Sequence, residues 1–383
     1  MSTSSISRAN RGRILAEIAY ARGLSRAELA ERTGLSLATV SRTVAALAAA
    51  GLVHQSEAER TFGRPLTLVR FADDAAASLV VDVADHHTEV ASVSLSGAVL
   101  SREKVPVGPG LTADERLEHT LTTVDAAVRA WPDRTRLLGV GVSIPGPVDS
   151  NGMVDFAPAL GWNRVNLGPI LRERLDVPVA VHNDANLIAI AEARFGAARH
   201  RRALFALAVF DGVGSGIVVD GKLWEGADGA SGQIGRMLLS LESVQHIYPG
   251  FGDLESRLGT QAVRERATAA GVQLDPGGDV WRELLVELPA RDPAAARLAS
   301  QVLDEFAFAL INVCALVNPD VIILAGYFAP IAEYVGLELR RRLTGRVIHV
   351  PEFLPESTEL PGAVLGAALG AQLAFGPLEQ LLD

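Results

Sequence analysis

Only one cysteine, Cys314, stands among the 383 residues. No disulfide can form within the chain, and a reducing cytoplasm is the compartment it suits. Cys314 lies in the apolar run INVCALV and is expected to pack in a core. No apolar run reaches the roughly 18 to 20 residues that a bilayer-spanning helix needs. The opening MSTSSISRANRGR has no apolar core behind its charges, which argues against a secretory leader. A soluble protein with no membrane partner is expected. Positive charge is also scarce, with a net charge of -10, yet the deficit is uneven. Residues 1–72 hold ten Arg against five acidic residues, a net +5, which leaves -15 on the remainder. A basic head on an acidic body confines any nucleic-acid contact to the N-terminus. What is abundant is apolar residue, 49% of the chain, enough for large cores in the two or three domains that this length suggests.

The basic head carries a motif. Residues Asn10 to Ala21 place Ile14, Leu15, Ile18 and Ala19 on one helical face. Ser25-Arg26-Ala27-Glu28 has the capping-box pattern that opens a second helix, which should stop at Thr33-Gly34. Ser36 then caps a third, with Val40, Val44 and Leu47 buried at i, i+4 and i+7. Its opposite face presents Ser36, Ala38, Thr39 and Arg42, small and hydrogen-bonding groups that suit a major groove. Beyond Gly51 the segment LVHQSEAERTFGRPLTLVRF alternates like two strands of a wing, with Arg64 near its bend for a minor groove or phosphate. A winged helix-turn-helix that binds DNA is expected over residues 1–72, against the alternative of a helical bundle for protein contacts.

Two similar halves follow. The strand-like SLVVDVAD, TEVASVSLSG and AVLSREKVPV precede a helix over Ala113 to Ala130 and a strand LLGVGVSI. The pattern returns as ALFALAVFDG, GSGIVVDG and KLWEG, then a helix from Pro293 to Val317 and the strand VIILAG. This is a duplicated α/β domain with a cleft between its halves, expected as lobes 73–200 and 201–383. The C-terminal helix PGAVLGAALGAQLAF is expected to pack back across the first lobe.

The winged helix followed by GVSIPGPVD, GWNRVNL, VHNDAN, GVGSGIVVDGKLWEGADGASGQIG and GDLE resembles the ROK family (repressor, open reading frame, kinase) along essentially the whole chain. Within it, the chain is similar to the sugar-responsive transcriptional regulators. The resemblance implies an actin-like, ribonuclease H-like, sugar-kinase-type sensor behind the DNA-binding head. It also implies a homodimer or homotetramer, a palindromic double-stranded operator and a sugar or sugar phosphate effector. Asp184, beside Asn183 at a strand end, matches the base that activates the sugar hydroxyl in kinase relatives. Taken alone, Asn183-Asp184 reads equally as a turn or helix cap. Glu255 matches a family glutamate that holds sugar hydroxyls, and Asn163 is expected to add a polar contact beside the aromatic wall of Trp162.

The departures from the family are as informative. GEIGH becomes Gly232-Gln233-Ile234-Gly235-Arg236, which puts an amide and a permanent cation in the pocket. Arg236 is expected to favour an anionic ligand, or else to pair with Asp253 or Glu242. The three-cysteine segment CxCGxxGCLE corresponds to residues 246–255, which hold no thiol, so no zinc and no other metal is expected. The glycines of the phosphate-side turn between Asp82 and Thr88 are replaced by Ala84-Asp85-His86-His87, so ATP is not expected as a cofactor. The second glycine loop, Gly212-Val213-Gly214-Ser215-Gly216, is attributed to the needs of its turn geometry, and Gly326 keeps only part of a glycine pair. The expectation is a repressor with a non-catalytic sensor, whose effector contacts are Asn163, Asn183, Asp184, Gln233, Arg236 and Glu255. The alternatives are an active ROK sugar kinase that also binds DNA, and a constitutive DNA-binding or scaffold protein with an empty cleft.

Overall fold

The computed structural model describes residues 3–19, 21, 23–58, 66–108, 110–133, 136–357, 361–378 and 381. The head contains α1 (Thr3–Ala19), α2 (Arg26–Thr33), α3 (Leu37–Ala49), β1 (Val53–Ala58) and β2 (Leu66–Phe71). Helix α1 starts well before the expected Asn10 and stops at Ala19. Its first turns precede the first buried apolar position, Ile14, so no periodic signal marked them. The Ser25 hydroxyl accepts from the Glu28 N–H at 3.2 Å while the Glu28 carboxylate accepts from the Ser25 N–H at 2.8 Å, closing the capping box. Gly34 ends α2 with φ +66, the left-handed conformation that glycine adopts at no steric cost. Strands β1 and β2 pair antiparallel from Val53↔Phe71 to Ala58↔Leu66. The wing bend between them, with Arg64, lies outside the described residues.

The head is fastened to the body. Ile14, Leu29, Val44 and Phe71 share one core with Leu95, Leu138 and Leu378. The connecting chain is pinned too: the Ser94 hydroxyl donates to Asp73 at 3.1 Å, and Arg136 donates to the Asp74 carbonyl at 3.0 Å.

The first lobe runs β3 (Ala77–Val83), β4 (His87–Ser94), β5 (Val99–Pro106), α4 (Ala113–Arg129), β6 (Leu137–Ile144), β7 (Val154–Ala157), β8 (Trp162–Val165), α5 (Leu167–Arg174) and β9 (Val179–Asn183), then α6 (Asp184–Arg194). The second runs β10 (Ala203–Val209), β11 (Val213–Val219), β12 (Lys222–Leu223), α7 (Asp253–Leu258), α8 (Thr260–Ala269), α9 (Val280–Arg282), α10 (Pro293–Leu316), β13 (Val321–Gly326), α11 (Ala332–Leu343), β14 (Glu352–Pro355) and α12 (Gly362–Phe375). Their sheets have the orders β5-β4-β3-β6-β9 and β12-β11-β10-β13-β14. In each, an antiparallel meander of three strands is extended by two strands parallel to the first. The same order twice is the duplication expected of an actin-like fold. Helix α10 is long and apolar enough to cross a membrane by length and composition, because its two acidic residues, Asp304 and Glu305, do not disqualify it. Its buried stripe, from Ala295 through Leu303 and Phe306 to Leu310, belongs to the second lobe's core, as does Cys314, whose thiol burial pushes up to about 11.

The two lobes exchange helices. Helix α6 leaves the first sheet and lays Ala185, Ile188 and Ala189 against Leu204, Ala206 and Val218 of the second. Helix α12 leaves the second lobe and packs Val364, Ala367 and Ala368 against Val80, Ala91 and Val93 of the first. The pair touch backbone to backbone, since a Cβ at Gly366 would overlap the Leu187 carbonyl; α12 approaches β6 as closely, with Gly141 against the Ala367 carbonyl. Only glycine permits that approach.

Candidate functional site

The recognition face comes first. Ser36 caps α3, its hydroxyl accepting from the Thr39 N–H at 3.2 Å and lying 2.9 Å from the Thr39 hydroxyl. Thr39 is therefore half-buried and tied to the cap, while Ser36, Ala38 and Arg42 are exposed. Arg42 makes no hydrogen bond or ion pair among the described residues. By contrast, Arg13 is spent on the Thr33 carbonyl and Arg26 on Gln55 at 2.9 Å. Sequence reasoning missed Leu37, 55% exposed at the start of the same helix, an apolar group suited to a thymine methyl.

The seam between the lobes gathers carboxylates. Asn183 ends β9 and caps α6: its carbonyl oxygen accepts from the Asn186 N–H at 3.1 Å, and its amide donates to the Gly146 carbonyl and to Asp184. Both amide hydrogens are thereby used, so Asn183 positions Asp184 within its own lobe. Asp184 also accepts from the Ala185 N–H at 2.7 Å. Burial pushes its pKa up to about 7, with Asp82 and Glu255 adding repulsion and the Ala185 N–H and Asn183 opposing. Burial likewise raises Asp82 and Glu255. A carboxyl poised near neutrality can accept or donate to a ligand hydroxyl.

Glu255 accepts from the Val213 N–H at 3.1 Å and lies between two glycines: a Cβ at Gly212 would overlap the carboxylate, and one at Gly235 would overlap the Val213 carbonyl and crowd the carboxylate. This corrects the reason assigned to the second glycine loop. Gly212, Gly214 and Gly216 are not among the positive-φ residues, so the turn itself does not demand them. Gly212 makes room for Glu255, and Gly216 for the Ala185 carbonyl of α6.

The β3–β4 turn and the loop after β13 are each tied to other protein groups. In the β3–β4 turn the Ala84 N–H donates to His87 at 3.0 Å, and Arg116 of α4 holds both the Asp85 carbonyl and its carboxylate, the latter at 2.8 Å. At the second lobe, Glu356 accepts from Gly362 at 2.6 Å and from Gly326 at 3.4 Å, while the Phe210 and Tyr327 rings meet edge to face beside it.

Further contacts cross the seam. His182 approaches Glu225 at 4.0 Å, Gly229 abuts the Val148 carbonyl, and the Arg236 guanidinium lies 5.6 Å from the centre of the Phe156 ring. Among the described residues Arg236 forms no ion pair with Asp253 or Glu242, contrary to that alternative; its one hydrogen bond, to the Gly250 carbonyl, is 3.5 Å long. Asp253 is already saturated by the Leu239 N–H, the Tyr248 hydroxyl and Arg257, at 2.8 to 2.9 Å. Burial alone would raise its pKa, but these donors outweigh it and hold Asp253 at about 2. A zinc ion does not fit there, because the acid that would ligate it is enclosed by a guanidinium and no thiol is present. Gln233 is half-buried beside the turn that carries Arg236. Asn163 is exposed, but its aromatic neighbour is not Trp162: that ring is buried, donating to the Ala113 carbonyl at 3.1 Å. Strand alternation sends adjacent residues to opposite faces, and the residue paired with Asn163 across β7–β8 is Phe156.

The order of these pieces along the chain is that of one family, whose sequence profile matches residues 78–372. The chain belongs to the ROK family. Ahead of its ROK domain, residues 4–61 match the MarR family, whose members share the winged-helix head. A xylose repressor of Bacillus spizizenii is 28% identical over 241 residues; the match spans 61% of this chain and 61% of the repressor, less than two thirds of that relative's length. The crystal structure of a ROK family transcriptional regulator, a homologue of the Escherichia coli MLC protein, superposes on 99% of this chain and 100% of its own with a TM-score of 0.78 at 22% identity, so the fold is shared from the winged helix through both lobes. A ROK hexokinase from Thermus thermophilus covers 78% of this chain and 98% of its own, at a TM-score of 0.62 and 25% identity.

Proposed function

We propose that this ROK protein is a DNA-binding transcriptional repressor whose sensor binds a sugar or sugar derivative at the lobe seam and does not transfer phosphate. The observation that supports the reading is an asymmetry: Asp184 and Glu255, which match the family's sugar-contacting carboxylates, are desolvated at the seam, whereas Arg116 clamps Asp85 in the glycine-free β3–β4 turn and Glu356 accepts from Gly326. In this reading residues 1–72 are the operator-binding head, and 73–200 and 201–383 are the lobes of the sensor. Ser36, Ala38, Thr39, Arg42 and Arg64 face a palindromic double-stranded operator in a homodimer or homotetramer. The name of the xylose repressor relative supports an aldose or an aldose derivative as effector. A ligand that prefers one lobe arrangement moves the heads through α6 and α12, since only differential affinity shifts such an equilibrium.

The test has two arms. Selection of double-stranded DNA on the full-length protein should yield a palindrome, with Arg42→Ala weakening binding about 10- to 100-fold and high salt weakening it further. Incubation with ATP, Mg²⁺ and a sugar panel should give no sugar-dependent ADP. Retained Asp184 favours the kinase as second reading, and turnover abolished by Asp184→Asn would establish it instead.

A further inference from the structure

We propose that the seam takes a sugar bearing a carboxylate or a phosphate group, and that Arg236 is the specificity-determining residue that reads this charge, exchanging the Phe156 ring for the ligand's anion. This rests on the sensor reading above and assigns its ligand class.

The main chain at Arg236 is held firmly. Its N–H donates to the Gln233 carbonyl at 3.1 Å, and Gly252 lies so close that a Cβ there would overlap the Arg236 backbone. The side chain, by contrast, is exposed and unclaimed by any acid within ion-pair distance among the described residues. Asp253, the first residue of α7, is committed to Arg257, Tyr248 and the Leu239 N–H. Glu255 feels the charge of Arg236, but its carboxylate lies against Gly212 and the Val213 N–H. What Arg236 does touch is the face of Phe156, on the opposite lobe. A cation over a half-buried ring at the surface is a weak contact, and a planar guanidinium forms stronger paired hydrogen bonds with a carboxylate or phosphate. An anion arriving here therefore displaces the ring.

The surroundings also orient the ligand. Asn163 is directly opposite Phe156 in the β7–β8 ladder, so its amide shares the face that Arg236 covers. Asp82, Asp184 and Glu255 form one desolvated group of neighbouring carboxyls, which accept from or donate to neutral hydroxyls and disfavour a second anion among them. Hydroxyls at the carboxylate end and one negative group at the Arg236 end describe a uronic acid, an aldonic acid or a terminal sugar phosphate.

Calorimetric titration of the full-length protein with D-xylose, D-glucose, D-glucuronate, D-xylonate and D-xylose 5-phosphate tests this. At least one anionic sugar should bind roughly tenfold or more tighter than its neutral counterpart, and Arg236→Gln should abolish that preference by weakening the anionic sugars far more than the neutral ones. Phe156→Ala should retain the anion preference, because the ring competes with the ligand for the guanidinium. The carboxylate and phosphate arms identify which anion is read. Neutral sugars bound as tightly as their anionic forms, or Arg236→Gln weakening both alike, would overturn the inference and leave the sensor standing. No binding of any sugar to the wild type would remove the sensor reading and this inference together.

Discussion

The β3–β4 and β10–β11 hairpins occupy equivalent places in two copies of one sheet, yet they have been put to opposite uses. In the first, the turn residue Asp85 is clamped by Arg116, and no glycine remains between Asp82 and Thr88. In the second, Gly212 survives, and what lies against it is the protein's own Glu255. A glycine in a phosphate-loop pattern is thus not evidence for phosphate. It records that something approaches the backbone closely, and here that is a carboxylate on α7.

The comparison is broken most severely by Gly212→Ala. The new methyl group should evict the Glu255 carboxylate, costing about 1 to 3 kcal/mol of stability by overpacking, and ligand affinity should collapse in calorimetry. Normal ligand affinity in this variant would mean that Glu255 does not work from that position. Asp253→Asn should come next. It removes the charge that organises Tyr248, Arg257 and Leu239 ahead of Glu255, at a cost of roughly 2 kcal/mol in urea unfolding at pH 7. Because Asp253 is held at about 2, its contribution is present above the ordinary carboxylate range and is lost as pH falls through about 2. The difference between Asp253→Asn and wild type should therefore vanish in strong acid.

Asp184→Asn sharpens the contrast with the opposite sign. A carboxyl raised to about 7 contributes its full stability below the ordinary range and loses it as pH rises through about 7. The amide keeps an oxygen for the Ala185 N–H but carries no charge to desolvate. Thermal melts should show Asp184→Asn gaining on wild type as pH rises from the ordinary value of 3.8 to about 7 and levelling off above it, while ligand binding falls. The smallest effect belongs to the first hairpin. Arg116→Ala should cost about 1 kcal/mol and yield no ATP binding, since the turn still lacks glycine. ATP binding gained by that single change would show that the clamp alone had closed the site.

Much of the molecule was legible locally. Ser25 with Glu28, Ser36 and Gly34 act within one turn of themselves, so their caps could be read from spacing. The two meanders were visible for the same reason, because strand alternation and turns are short-range. The candidate residues Asp184 and Glu255 were named by resemblance, and folding brings them close enough to repel one another. Their supports were not visible. Arg116 reaches Asp85 across a separation of 31 residues, and Val213 reaches Glu255 across 42. Trp162 was assigned to the wrong face because β8 is a four-residue strand, too short to show its alternation.

By itself, the sequence determined the caps of the head, the alternation of the strands, the duplication, and the absence of thiols from the loop at residues 246–255. Those follow from bonding within a few residues and from which atoms each side chain carries. Tertiary structure alone decided that Asn183 spends its amide on its own lobe, that α6 and α12 trade places through Gly366, and that Arg236 rests on Phe156 rather than on Asp253. Each of these is a contest among partners brought together from distant parts of the chain, and only folding determines which of them come within reach.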